Sequence, residues 1–276
     1  MTIQRVGFIG LGSHGWPMAA NLAADGFTLT VCDTRPEALA ALEAAGATVV
    51  RTPREVAERA DLVGIGEVAD PGWSDSQVEE VVLGRGGLLE GAHPGLIIAF
   101  HAAIYPSTVQ RFAAEAASRA VDVIDAQANG GNEGARARRL RYMVGGDPAV
   151  FERCRAVWAT SGSEMLYMGG VGSGAAAKIA HYVAVCANLQ GAHEAFALAA
   201  GAGVDLRAFQ QLVHQSAGQS WASDTWLDQH QPFDPARAEN FYQRLRHAIG
   251  LGEQLGLPLP GTALAQQFMN GLRPPD

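Results

Sequence analysis

Of the 20 lysine and arginine residues in this 276-residue chain, 19 are arginine and one, Lys178, is lysine. The two are interchangeable on most solvated surfaces, but only lysine offers a compact amine that can lose its proton. A composition rich in alanine (49) and glycine (33) fits GC-rich coding, which accounts for arginine nearly everywhere and leaves the exception to its local sequence. Lys178 closes the run Gly169-Gly-Val-Gly-Ser-Gly-Ala-Ala-Ala-Lys178, a glycine-rich stretch that opens a long helical pattern. An amine there can take a proton from a hydroxyl or give one to a carbonyl oxygen, provided burial and nearby positive charge bring its pKa toward neutrality.

A second constellation lies near the N-terminus. Gly10-Leu11-Gly12-Ser13-His14-Gly15 follows a strand-like run and precedes a helical one, and Asp33 ends the next strand. In that context the first glycine allows a tight turn, the second a close approach of backbone to a pyrophosphate, and the third close packing of helix on strand. The helix N-terminus supplies N–H donors and positive dipole to the phosphates. Asp33 is expected to accept hydrogen bonds from the adenosine ribose and to repel a 2′-phosphate. Thr34 brings no guanidinium, whereas Arg35 can swing toward a phosphate. The expected cofactor is NAD, with NADP possible.

These residues need elements to position them. Strands are expected at Arg5–Ile9, Thr28–Cys32, Ala47–Val50, Leu62–Ile65, Leu96–Ala99 and Val121–Ile124. Helices are expected at Pro17–Ala24, Pro36–Ala45, Pro53–Arg59, Ser76–Val82 and Pro106–Arg119, four of them opened by proline. The alternation predicts an α/β fold with a parallel, doubly wound sheet. After Gly169 the pattern becomes all helical: one run to about Ala200, then stretches near 205–215, 219–228, 236–256 and 261–271. The reading is a dinucleotide-binding Rossmann domain over 1–168 and a helical substrate and dimerisation domain over 169–276, with only the tail Arg273–Asp276 expected to be disordered.

Composition excludes several classes. The chain is 48% hydrophobic and 17% charged, enough for a large core and unlike a disordered segment. No apolar run approaches the roughly 18 residues of a membrane span, and no secretory leader precedes Ile3, so a cytoplasmic protein is expected. A net charge of −8 argues against nucleic acid as a partner. Cys32, Cys154 and Cys186 and the eight histidines show no metal-ligand spacing, so no metal is expected. Trp73, Trp158, Trp221 and Trp226 read as core or interface residues, with Trp221 the one that could instead meet a ligand, and Arg136, Arg138, Arg139 and Arg141 as a solvated basic face.

Several blocks occur in the order found in one known family. Gly7-Phe-Ile-Gly-Leu-Gly-Ser-His-Gly-Trp-Pro-Met-Ala-Ala-Asn-Leu22, Asp125-Ala-Gln-Ala-Asn-Gly-Gly-Asn-Glu-Gly-Ala135 and Gly169–Lys178 resemble the N-terminal, substrate-binding and catalytic segments of the β-hydroxyacid dehydrogenases. Ser216-Ala-Gly-Gln-Ser-Trp221 and Gly256-Leu-Pro-Leu-Pro260 resemble later landmarks. The resemblance implies hydride transfer between a nicotinamide and a β-hydroxyacid-like alcohol or its carbonyl. It implies Lys178 as general acid/base, a carboxylate-bearing small substrate, and a homodimer or homotetramer.

The departures from that family fall around the substrate. His14 stands for methionine, Asn129 for the substrate-binding serine, and Tyr182, preceded by His181, for asparagine. Gly130 and Gly131, whose N–H groups can meet a carboxylate, form the expected substrate site with Asn129, His181 and Tyr182, the last two sharing a helical face with Lys178, whereas His14 belongs to the expected cofactor loop. An aspartate-x-serine-threonine stretch beside the nicotinamide reads Phe100-His-Ala-Ala103, and a lysine-aspartate pair aligns with Gln243-Arg244. Ala103 and Gln243 thus complete the expected cofactor contacts. The loop Glu67–Ser74 also departs from the family's leucine-proline sequence. Two alternatives stay open: a relative of the imine reductases, and a nucleotide-binding protein without catalysis.

Overall fold

The structure is a computed structural model described for residues 2–67, 75–231 and 233–273. In chain order its elements are β1 (Arg5–Ile9), α1 (Gly15–Ala24), β2 (Thr28–Cys32), α2 (Pro36–Ala44), β3 (Thr48–Val49), α3 (Pro53–Ala57), β4 (Leu62–Ile65), α4 (Asp75–Leu83), α5 (Leu88–Gly91), β5 (Ile97–Phe100) and α6 (Pro106–Ala117). There follow β6 (Asp122–Asn129), α7 (Gly131–Arg136), β7 (Leu140–Gly145), α8 (Pro148–Ala159) and β8 (Gly162–Gly169). The helical part comprises α9 (Ser173–Gly201), α10 (Leu206–His214), α11 (Trp221–Asp224), α12 (Trp226–Gln229), α13 (Pro235–Leu255) and α14 (Pro260–Leu272).

The eight strands form one sheet in the order β3-β2-β1-β4-β5-β6-β7-β8. Pairing is parallel from β3 to β6, as the βαβ alternation requires. The six expected strands pair in parallel; beyond them lie β7 and β8, which were not expected, and β6–β7 is antiparallel, with Asp125 opposite Gly145 and Asn129 opposite Arg141. Only the short α7 joins β6 to β7, too little chain for a crossover. β6 also runs five residues beyond the Ile124 expected from its apolar run, because Asp125, Gln127 and Asn129 interrupt the hydrophobic pattern without ending the strand.

Side chains alternate across the sheet and build a core on each face. On β5, Ile97 and Ala99 join a cluster with Val6, Phe8, Met18, Leu22 and Trp158, whereas Ile98 and Phe100 join Val56, Val63, Val109 and Phe112. Both faces are therefore covered by helices. Thr52 and Glu55 form a reciprocal capping box on α3, and Asp147 caps α8 through the N–H groups of Ala149 and Val150.

Two compact units divide at Lys178/Ile179, inside α9. The second unit has its own core, in which Leu189, Phe196, Trp226, Leu245 and Met269 are buried, and it contains no strand among the described residues. Trp158 and Trp226 are core residues as expected, whereas Trp221 is exposed; Trp73 and the tail 274–276 lie outside the described residues. Arg138, Arg139 and Arg141 pair with Asp25, Glu133 and Glu164 on an exposed face. The three cysteines are buried free thiols, and burial pushes Cys154 and Cys186 up to about 12. Among the described residues no helix is long and apolar enough to cross a membrane.

A histidine packed against the core should make this fold acid-sensitive. His101 stacks on Phe8 with ring centroids 5.8 Å apart, and its Nδ1 lies 2.7 Å from the Ala126 carbonyl. A carbonyl only accepts, so Nδ1 carries the proton of the neutral ring. Burial lowers His101 from 6.5 to about 4, partly offset by that hydrogen bond. The unfolded chain therefore binds a proton the folded chain refuses, and stability falls as pH drops from 6.5 toward 4, by about 2–3 kcal/mol for this group. His230 in the second unit, also lowered to about 4 by burial and by Arg237, adds in the same direction. Urea unfolding followed at pH 7.5 and pH 5 should show this loss. His101→Gln, which keeps a donor for Ala126, should reduce it; an equal loss in the variant refutes the assignment.

Candidate active site

The Gly10–Gly15 loop connects β1 to α1 at the C-terminal edge of the sheet. Gly10 has φ +82°, and a Cβ there would lie 2.6 Å from the Glu67 carbonyl oxygen. A Cβ on Gly15 would lie 2.1 Å from the Gly10 carbonyl oxygen, so helix and loop touch through bare backbone. Gly12 faces Glu67, whose Oε2 is 3.4 Å from the Ser13 hydroxyl. His14 opens α1 without a side-chain cap of its own. These are the features of a pyrophosphate cradle: a turn no other residue fits and a helix N-terminus at its mouth.

Asp33 follows β2 and is nearly covered, its side chain 2% exposed. Its Oδ2 accepts the Leu11 N–H at 2.5 Å, and Oδ1 accepts the Arg35 N–H at 2.9 Å. The Arg35 guanidinium adds two bonds, Nε to Oδ1 at 3.0 Å and Nη2 to Oδ2 at 3.1 Å. Burial alone would raise this carboxyl, but Arg35 and the two backbone N–H groups hold it below the usual carboxylate range. Asp33 is thus ionised, and Arg35 is folded back onto it. Thr34 beside them is exposed.

Asn129 ends β6, and Gly130 and Gly131 continue it with φ +131° and +67°. The next residue ties this loop to the glycine loop, for the Asn132 side-chain amide donates to the Ser13 carbonyl. Asn21 on α1 donates to the Ala135 carbonyl at 2.9 Å, and Arg136 lies over the Trp16 ring at 5.4 Å. Two loops remote in the chain therefore share one edge of the sheet. Lys178 joins them: 7% exposed, it donates from Nζ to the Ala128 carbonyl at 2.6 Å, immediately before Asn129.

Two residues that sequence reasoning gave no separate role secure this arrangement. Asp125, fully buried on β6, accepts the Gly172 N–H on Oδ1 and the Ala175 N–H on Oδ2, both at 2.7 Å. Gln127, also buried, donates both amide hydrogens, to the Phe100 carbonyl at 3.1 Å and the Ala102 carbonyl at 2.7 Å. It thereby fastens the turn after β5 that leads to Ala103, which is partly buried. His101 in that turn points into the core rather than to the sheet edge. The signal was present as Asp-x-Gln-x-Asn, polar residues at every second position of an otherwise apolar strand.

His181, Tyr182 and Gln243 belong to the second unit. There Tyr182 lies edge-on to Phe241, with the Arg244 guanidinium 5.3 Å from its ring centroid. His181 and Tyr182 have ring centroids 6.0 Å apart. Gln243 donates to Glu239 at 2.7 Å and accepts from Arg246 at 3.3 Å. The segment 68–74, most of the loop that departs from the family sequence, lies outside the described residues. No group of three histidine, cysteine or acidic residues that could hold a metal occurs among the described residues.

Comparison with known proteins identifies the family. Residues 5–170 match the NAD binding domain of 6-phosphogluconate dehydrogenase, and residues 172–274 match the NAD-binding family of NADP-dependent 3-hydroxyisobutyrate dehydrogenase. The chain is 35% identical over 274 residues to a 2-hydroxy-3-oxopropionate reductase of Escherichia coli, covering 97% of this chain and 90% of that one. It is 32% identical over 274 residues to a 2-(hydroxymethyl)glutarate dehydrogenase of Eubacterium barkeri, covering 98% and 89%. A Mycobacterium tuberculosis 3-hydroxyisobutyrate dehydrogenase solved with L-serine superposes with a TM-score of 0.86 at 26% identity, over 98% of this chain and 94% of that one. With a glycine loop at a helix N-terminus, a covered aspartate after β2 and a buried lysine near one sheet edge, the chain belongs to the β-hydroxyacid dehydrogenase family, as an NAD(P)-dependent oxidoreductase of small hydroxyacids and their carbonyl counterparts.

Proposed function

We propose that Lys178 is the general acid/base of this enzyme. The observation that carries the reading is its buried amine, hydrogen-bonded to the Ala128 carbonyl at the start of the Asn129–Gly131 loop. NAD(P), when bound, accepts hydride from an alcohol or donates it to a carbonyl. Lys178 handles the accompanying proton: the neutral amine takes it from the hydroxyl in oxidation, and the ammonium returns it to the oxygen in reduction. Arginine has the charge but cannot perform the first step.

The remaining roles follow from residue chemistry. Gly130 and Gly131 present N–H groups to a substrate carboxylate, and Asn129 adds a donor and an acceptor where the resemblance expects a hydroxyl. His181 and Tyr182, one turn beyond Lys178, complete the substrate side. Gly10, Leu11, Gly12, Ser13, His14 and Gly15 hold the pyrophosphate, Asp33 with Thr34 and Arg35 the adenosine ribose, and Ala103 and Gln243 the nicotinamide end. The proposed domain boundary, 168/169, falls at the last residue of β8 and ahead of the point inside α9 where the two compact units divide. The second unit exposes Leu198 (77%), Leu212 (63%) and Leu255 (62%). That much exposed leucine favours a homodimer or homotetramer, and buried free thiols favour a cytoplasmic setting.

Two experiments test these roles. Lys178→Arg should lower turnover on a panel of short hydroxyacids and their semialdehydes by about 10²–10⁴-fold, while NADH still binds with near wild-type affinity by fluorescence titration. Turnover that survives the substitution removes Lys178 from the chemistry. NAD is proposed as the preferred cofactor because the guanidinium that could meet a 2′-phosphate is bound to Asp33. Asp33→Ala releases Arg35 and should move the NADPH-to-NADH affinity ratio about tenfold toward NADPH, or about 1.4 kcal/mol. An unchanged ratio contradicts the assignment.

A further inference from the structure

Several helices of this protein are capped from their own sequence. Asp147, Asp205 and Asp234 each accept N–H groups two or three residues ahead, at the starts of α8, α10 and α13. α9 is different. The acid that takes its first N–H groups is Asp125, 47 and 50 residues distant, on a strand in the interior of the sheet. A local cap marks where a helix begins; it does not tie that helix to anything else. A cap supplied by a strand also fixes the register of the helix against the sheet.

The approach is close because two side chains are missing. A Cβ on Gly174 would lie 2.4 Å from the Met143 carbonyl oxygen and 2.8 Å from Asp125 Oδ2, and one on Gly145 would lie 2.7 Å from the Gly174 nitrogen. Between them the buried carboxylate faces the positive end of a 29-residue helix. Burial pushes the Asp125 carboxyl above the usual range, and the N–H groups of Gly172 and Ala175 offset part of that. Three residues along the same strand, the Ala128 carbonyl accepts the Lys178 amine, which sits three residues along the same helix from Ala175. Strand and helix are thus joined by two rungs. Slipping α9 by one residue, about 1.5 Å of rise and 100° of rotation, breaks both.

We propose that Asp125 is a positioning residue for Lys178: by holding the N–H groups of Gly172 and Ala175 it sets the register of α9 on β6, and so the point at which the lysine amine stands. This rests on the reading of Lys178 as acid/base for its catalytic meaning, but the positioning itself can be observed without turnover. Because Lys178 is the only lysine, protein grown on ¹³C,¹⁵N-lysine carries one labelled side chain, and its Cε–Hε resonances report that side chain in the full-length protein without cofactor. Gln127→Met is the control, since Gln127 is buried on the same strand and makes two hydrogen bonds, none of them to α9.

In the wild type the labelled resonance should be a single set displaced from that of a solvated lysine. Asp125→Ala should collapse it toward the solvated position or split it. Asp125→Asn, which keeps an acceptor for one N–H, should give an intermediate shift and restore part of the activity. Gln127→Met should leave the resonance within a linewidth even where thermal stability falls. In turnover Asp125→Ala should lower kcat about tenfold or more, with the KM for NADH little changed. The proposal is overturned if folded Asp125 variants leave the Lys178 resonance in place, or if Gln127→Met moves it as far as Asp125→Asn does. If Asp125→Ala does not fold, the comparison of Asp125→Asn with Gln127→Met decides. Turnover surviving in Lys178→Arg would remove the catalytic reading alone and leave the resonance result standing.

Discussion

The first unit depends on places where two stretches of backbone meet with no side chain between them. At Gly15 and Gly10 the helix after the first strand rests against its own loop; at Gly174 and Gly145 the long helix rests against the sheet. Both contacts lie at the sheet edge that carries the candidate site. Neither is an ordinary hydrophobic contact, because what meets there is N–H and C=O, and such groups are costly to bury unless they find partners. The partners come from elsewhere in the chain: the Ala175 and Gly172 N–H groups reach Asp125, and the Leu11 N–H reaches Asp33. Two carboxylates accept backbone donors that close packing would otherwise strand.

This explains why one strand carries so much of the site. β6 is hydrogen-bonded on both sides, to β5 in parallel and to β7 antiparallel, so its backbone has little freedom. Its polar side chains at 125, 127 and 129 then act from fixed points: the first on α9, the second on the turn after β5, the third at the mouth of the loop. A strand held on both sides is a better reference frame than a loop, since side chains projecting from it inherit its order. Asn132 extends the frame to the glycine loop through Ser13.

Much of this was legible in the chain, and the limits are physical. β1, β2 and β4 begin and end where their apolar runs do, because both faces of a covered parallel strand are hydrophobic. β6 was cut short at Ile124 by the same rule, because polar residues on a fully buried strand look like a loop until their partners are known. The glycine loop and Asp33 are legible because local spacing sets their geometry, and Lys178 because its residue type is rare in the chain. Asp125, Gln127 and Asn132 act across folded distances, on the N–H of Ala175 and the carbonyls of Phe100 and Ser13, and no local pattern announces such contacts. The ion pair of Arg35 with Asp33 was half visible: two residues apart, the guanidinium could turn toward its own acid or away from it, and it turns inward.

The Gly10–Gly15 loop has one consequence for how such an enzyme diversifies. Amino-acid replacement alters side chains and leaves main-chain amides where they were, so a cradle made of amides is inherited intact while the residues facing the other ligand drift. Asparagine at 129, where the family resemblance expects serine, is a difference of that kind. The tolerance ends at Gly10 and Gly15, where any side chain introduces an atom into space already filled by a carbonyl oxygen. Variation is thereby channelled: a lineage built on this loop can explore new substrates freely while its redox currency stays fixed.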